Sequence, residues 1–352
     1  MPKAAIFKTS LDVLYYSGAS AALQKVFAGI GAIFMLHHVF PGGGLQRGFA
    51  PNAGIELTPE FLDDVITHVR ERGFDLISFD AAVERIRAGD RGERPFAVFT
   101  LDDGYRDNLV HAAPVFRKHN CPYTVFVAPA ITDGTCELWW RGLEHVLLAT
   151  DYMVAEIDGA RFELPTATAQ QKQEAWSRLY WPIRRQEQHA QRKWIAEVCE
   201  RHGVDLGKMC ADAAMAWDEV RTMAADPLCT IGAHTINHFA VGQLDAEEAL
   251  GEMVASAERI EKELGRRPEF FAYPYGDRDS AGPRDFALAA EAGFRAAVTT
   301  RKGLIYPGHR NHLQALPRLS LSGSYQRLRF VKTLLTGVPF ALFNKMQKVD
   351  VS

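Results

Sequence analysis

The sequence predicts an α/β protein built on a mostly parallel sheet or barrel and interrupted by one helical insertion. Three observations carry this. Short runs rich in β-formers alternate with longer amphipathic segments, the signature of βαβ units. Several of the short runs stop abruptly at carboxylates or imidazoles, and α/β proteins build their sites at the carboxyl ends of parallel strands. The alternation lapses between about residues 137 and 222 and then resumes.

Taken in order, residues 4–28 read as helical, with apolar Leu11, Leu14, Tyr15, Leu23, Val26 and Phe27. A strand-like run, 32–40, follows and carries His37 and His38 near its end; Pro41 to Gly44 then breaks the chain. Thr58 and Pro59 supply an N-cap and first turn for a helix with an apolar stripe through Phe61, Leu62, Val65, Ile66 and Val69. Leu76–Phe79 reads as a short strand and Asp80 as the N-cap of the next helix. The run Phe96–Leu101 is too short for a helix and ends in Asp102, Asp103 and Gly104. A helix over 108–119 and a strand over 123–127 complete the first half. All six tryptophans fall between 139 and 217. They fit either a small core for the insertion or stacking surfaces for a sugar ring, and core is the commoner use of aromatics. Beyond it come strand 228–234, helix 246–264, strand 270–273, helix 283–292 and strands 296–299 and 315–321. Residues 325–348 form a basic amphipathic segment suited to packing on the barrel or to contact with an anionic membrane surface.

The chain has 352 residues, 47% apolar and 24% charged, with a formal net charge of −3. Length allows a large core. The interleaved charge gives no nucleic-acid-binding face. Five scattered cysteines, with no Cys-x-x-Cys, argue against a disulfide framework and a thiolate zinc site and for a reducing compartment. No secretory pattern is evident at the N-terminus, and the run 30–40 is too short to span a bilayer. A cytoplasmic location, with contact at the inner membrane surface, is the expectation.

Two features carry chemistry. Adjacent carboxylates such as Asp102 and Asp103 repel unless a cation or proton relieves them. Alone, Asp-Asp-Gly reads equally as a turn or helix cap. His234 and His238 follow another buried strand at i and i+4, a spacing that sets side chains together on a helical turn. Two imidazoles and a carboxylate with open positions suit Zn2+ or a similar divalent ion in hydrolysis, with Thr235 available to orient a ligand. Both features belong to the same edge of one sheet.

Thr100-Leu-Asp-Asp-Gly104, His234-Thr-Ile-Asn-His238 and Phe271-Ala-Tyr-Pro-Tyr-Gly276 occur in this order. Together the three resemble the first three motifs of the polysaccharide deacetylases, carbohydrate esterase family 4, over about residues 32–130 and 215–322. The resemblance implies a distorted parallel (β/α)7-type barrel over 32–322 with a helical insertion at about 137–222, an N-terminal helical segment over 1–31 and a C-terminal amphipathic segment over 323–352. It implies that Asp103, His234 and His238 hold one divalent metal ion, Zn2+ by preference. Asp102 would be the general base that activates water, and the backbone N–H of Tyr275 would bind the oxyanion.

Two departures stand out. Many members pair the base with an arginine in the third motif, where this chain has Ala272; Arg318, on another strand, is the candidate replacement. The late Leu-x-His motif that supplies the general acid is not evident, although His309 and His312 lie in that region. Leu36-His37-His38 fits it at the front of the chain, as in circularly permuted members. His38 is the expected acid on motif fit, with His37 as the alternative. His111, His119, His145 and His202 read as structural.

The implied reaction is metal-dependent hydrolysis of N-acetyl groups on an amino-sugar polysaccharide or lipid-linked glycan precursor, as in exopolysaccharide biosynthesis. The rival readings are a hydrolase of another acyl bond, an O-acetyl ester or formamide, and a non-catalytic carbohydrate-binding barrel.

Overall fold

The computed structural model describes residues 3–42, 48–89 and 92–351. Seven strands close into a parallel barrel. Gly31–Leu36 pairs with Phe96–Leu101, and the ring continues through Tyr123–Val127, Cys229–Ala233, Phe270–Ala272, Ala296–Lys302 and Leu316–Ser320 back to Gly31–Leu36. A two-residue strand, Asp75–Leu76, lies beside the first residues of Phe96–Leu101.

Side chains along each strand alternate between two apolar layers, as the pleat requires. Ile33, Phe96, Val98, Phe126, Val298 and Leu316 fall in one cluster. Phe34, Leu36, Phe99, Leu101 and Val125 fall in another, with the helix residues Leu62, Val65 and Ile66. The first is therefore the barrel interior and the second the seam between barrel and helices. This parity decides which side chains reach the site. Val98, Thr100 and Asp102 follow the inner face, and so do Leu316 and Arg318.

The insertion carries its own core of Trp139, Leu143, Met153, Leu179, Ile195 and their neighbours. Sequence reasoning reads the insertion as mostly helical and names no strand in it, yet it contains an antiparallel hairpin, Tyr152–Ile157 with Ala160–Pro165. The connecting Asp158 and Gly159 both have left-handed φ, 50° and 77°. Such a pair is the tightest two-residue hairpin turn, and Asp-Gly is its usual sequence.

Other boundaries shift for local reasons. The N-cap of helix Phe79–Ala88 is Ser78, whose hydroxyl accepts the N–H of Ala81 (3.2 Å), while Asp80 sits in the first turn. Thr58 caps Pro59–Glu71 by accepting the N–H of Phe61 (3.2 Å). The breaker expected over Pro41 to Gly44 lies partly outside the described residues. The C-terminal segment is not one amphipathic helix but two, Leu328–Leu334 and Val338–Phe343, divided at Gly337 with φ 77°. Burial of Phe330, Val331, Leu334 and Phe340 packs them against the body of the protein.

Candidate active site

Strand register builds one side of the site. Leu36 pairs with Leu101, and the Asp102 N–H donates to the Leu36 carbonyl (3.0 Å). One further step along that register sets His37 beside Asp102, and His37 Nε2 lies 4.0 Å from Asp102 Oδ2. Arg318, fully buried, donates to both Asp102 oxygens (2.7 and 2.6 Å), to Thr100 Oγ1 (3.0 Å) and to the Thr299 carbonyl (2.9 Å). Burial pushes the Asp102 carboxyl up, but the Arg318 guanidinium outweighs it and holds the group below its ordinary range. Arg318 is thus the cation paired with Asp102, as the sequence offered it in place of Ala272.

Asp103 turns the other way, through a left-handed φ of 75° followed by Gly104 at 77°. Its Oδ1 faces His238 Nε2 at 3.1 Å and His234 Nε2 at 3.3 Å. Burial raises this carboxyl too, and the field of His238 with the close approach of both rings brings it well below the usual range. The histidines are not on a helical turn. They lie in a loop in which Thr235 and His238 are both left-handed, φ 54° and 57°. Non-glycine residues pay for that conformation, and such strain collects at functional sites.

Whether a metal suits this group can be judged from its atoms. His234 Nδ1 contacts the Ala272 carbonyl at 2.6 Å, and a carbonyl only accepts, so Nδ1 carries a hydrogen and Nε2, which faces Asp103, is the ring atom placed to ligate a metal. Burial drives the His238 ring down to about 4, against the pull of Asp103, which keeps it neutral. Asp103 Oδ1 is buried without a hydrogen bond. Three buried donor atoms, one oxygen and two nitrogens, lie within 4.8 Å of one another. The set fits a borderline divalent ion such as Zn2+ with open coordination positions.

The loop is held from two directions. Glu252, buried on helix Ala246–Leu264, accepts the Asn237 N–H (2.9 Å) and side-chain amide (2.6 Å), and its carbonyl accepts the Ile236 N–H (3.1 Å). Arg192, buried on Gln188–Arg201 of the insertion, donates to the Asn237 and His238 carbonyls (both 3.2 Å) and to that of Glu137. His238 Nδ1 has no partner among the described residues, so ring packing against Trp140 and Tyr275 and these main-chain bonds orient it. Thr235 Oγ1 donates only to its neighbour's carbonyl, that of His234 (2.8 Å).

A cavity of ≈ 240 Å³ opens over Asp102, Asp103 and His37, walled by Trp139, Trp140 and Tyr180 from the insertion and by Tyr275. The Tyr275 hydroxyl accepts Trp139 Nε1 (2.8 Å), Arg184 stacks on its ring, and φ is 60°. Its main-chain N–H has no partner among the described residues. Trp139 and Trp140 are thus the two tryptophans at the site. Trp194 and Trp217 bond away from it, to the Glu156 carbonyl and to Asp133.

His38 does not reach this cavity. Its Nδ1 is 2.5 Å from Asp107, its ring stacks on Tyr105 at 3.6 Å, and it lines a separate groove of ≈ 520 Å³. The expectation of His38 as proton donor fails on parity: Ile33, Met35 and His37 share the inner face, while His38 follows Phe34 and Leu36 outward. Buried His309 contacts Tyr306, and neither it nor His312 lines the cavity. Sequence reasoning missed Arg192, Glu252 and Tyr180, since none belongs to a short motif.

Residues 89–297, more than half of the chain, match the family model for polysaccharide deacetylase. A search of curated proteins finds no match. Three solved structures share the fold. A Streptococcus pyogenes deacetylase, PplD, in complex with acetate is 16% identical with a TM-score of 0.56, covering 86% of this chain and 97% of its own. A de-N-acetylase from Aggregatibacter actinomycetemcomitans is 13% identical, TM-score 0.54, over 86% and 98%. IcaB from Ammonifex degensii is 15% identical, TM-score 0.54, over 87% and 97%.

Proposed function

The chain belongs to the polysaccharide deacetylase family, and from that premise we propose that it hydrolyses N-acetyl groups on the amino sugars of a polysaccharide or lipid-linked glycan precursor. The observation that carries this reading is the split between adjacent carboxylates: Asp102 is engaged by Arg318, and Asp103 faces two imidazoles. One group stays available for a proton while its neighbour holds the ion. Asp103, His234 and His238 would hold a divalent ion, which would supply the acidification of water and the polarisation of the acyl carbonyl.

The chain's own groups do the rest. Asp102 takes the proton of the attacking water, and Arg318 keeps it ionised beforehand. The Tyr275 N–H donates to the carbonyl oxygen as negative charge builds there. His37 gives a proton to the departing nitrogen as the carbon–nitrogen bond breaks, leaving acetate and a free amine. Burial lowers the His37 ring, while the carboxylates of Asp103 and Asp102 favour its charged form. Trp139, Trp140 and Tyr180 enclose the sugar.

The test is acetate release from N-acetylated oligosaccharides, with chelation and metal add-back. Activity is expected to vanish with chelator and return with Zn2+ or another divalent ion. His37→Ala is expected to lose about 10²–10⁴ in rate, and His38→Ala to stay within a few-fold of wild type. Release from O-acetyl esters alone would move the protein to the ester-hydrolase reading, and binding without turnover of any acetylated glycan would make it a binding barrel.

A further inference from the structure

The terminal segments form a lobe whose chemistry differs from the rest of the chain. Residues 1–31 and 323–352 hold eight lysines and arginines against two acids, Asp12 and Asp350, in a protein whose net charge is −3. The lobe is therefore +6 and the remainder −9. Both lobe acids are already engaged, Asp12 by Arg329 (2.6 Å) and Asp350 by Arg278 (2.8 Å).

The two segments meet in space. Helix Lys3–Tyr16 packs on Leu328–Leu334, and Ala19–Phe27 on Val338–Phe343. Lys348 Nζ donates to the Val26 carbonyl (3.1 Å), and Asn344 donates to the carbonyl of Lys302 (2.9 Å). The inward faces, including Leu11, Phe330, Leu334 and Phe340, are buried. The outward faces are not polar. Eight of the thirteen large apolar side chains exposed among the described residues belong to this lobe, which is about a sixth of the chain. Leu23 (43%), Val26 (57%), Leu342 (62%), Phe343 (59%) and Met346 (57%) lie within three residues of the exposed Lys25 or Lys345 along the chain.

We propose that this lobe docks the enzyme on an anionic lipid bilayer. Interleaved basic and apolar side chains on an exposed helical surface suit an interface where the rings and methyls enter the headgroup region and the ammonium groups meet lipid phosphates. Among the described residues no helix is long and apolar enough to cross a membrane, and the contact we propose is peripheral. A second copy of the chain is a poor occupant, since +6 would face +6. The proposal does not depend on the deacetylase chemistry.

The test is flotation of the full-length protein with vesicles of phosphatidylcholine and phosphatidylglycerol (3:1) and with phosphatidylcholine alone. Binding is expected to the anionic vesicles only, and to fall as salt shortens the screening length. Lys25→Glu with Lys345→Glu is expected to weaken it roughly 30-fold or more, and Phe343→Ser with Met346→Ser about tenfold or more. Melting temperature and acetate release should stay unchanged in both. No flotation, equal binding to neutral vesicles, or unaltered binding by the charge-reversed variant would overturn the proposal. So would a dimer, seen by light scattering, that Phe343→Ser abolishes.

Discussion

The two sides of the active site are held in place by different means. Asp102, Arg318 and His37 stand on or directly beyond paired strands, and the register of the barrel fixes their spacing. His234 and His238 stand on a strained loop with no register to place it, held by Glu252 from a barrel helix and by Arg192 from the insertion. The insertion is therefore part of what shapes the His234–His238 loop, in addition to walling the cavity. A group on a strand inherits precision from the sheet, whereas a group on a loop needs buried polar contacts to supply it.

Four substitutions separate these two modes. Asp102→Asn removes the base and is expected to lower turnover about 10²–10⁴-fold while metal content, measured by elemental analysis, stays at the wild-type level. Arg318→Met leaves Asp102 buried beside no cation and is expected to cost about 3–5 kcal/mol of stability in chemical denaturation. Arg192→Met acts on the loop alone: metal affinity, from competition with a chelator, is expected to drop about 10–100-fold. Glu252→Gln keeps the shape but turns an amide toward the Asn237 N–H, and about tenfold weaker metal binding is expected, at the lower end of such effects. If Arg192→Met left metal affinity intact and reduced only the melting temperature, the insertion would be a lid rather than a support.

Much of this was legible in the sequence because it is local. The strand runs, the helix caps at Thr58 and the Asp-Asp and His-x-x-x-His positions all depend on residues a few apart. What was illegible depends on closure of the ring. Arg318 meets Asp102 only because Leu316–Ser320 returns to pair with Gly31–Leu36, so its identity as the partner could be listed as a candidate but not decided. That His37 rather than His38 lines the cavity has a sharper cause. Gly31–Leu36 is apolar on both faces, so no alternation marked which face was inner, and adjacent His37 and His38 were separable only by parity. The hairpin at 152–165 did carry a signal, Asp158-Gly159 between alternating residues, which its charged helical surroundings masked. His234 and His238 were read onto a helix because spacing alone does not reveal a left-handed turn.

The left-handed backbone at Thr235 has a practical consequence for anyone improving this protein. Glycine adopts φ 54° without steric penalty, so Thr235→Gly is expected to relax the chain there. A selection scored on heat resistance alone would favour that change. It would also free the hinge between the two imidazoles, and the survivors would be sturdier proteins with slacker metal sites.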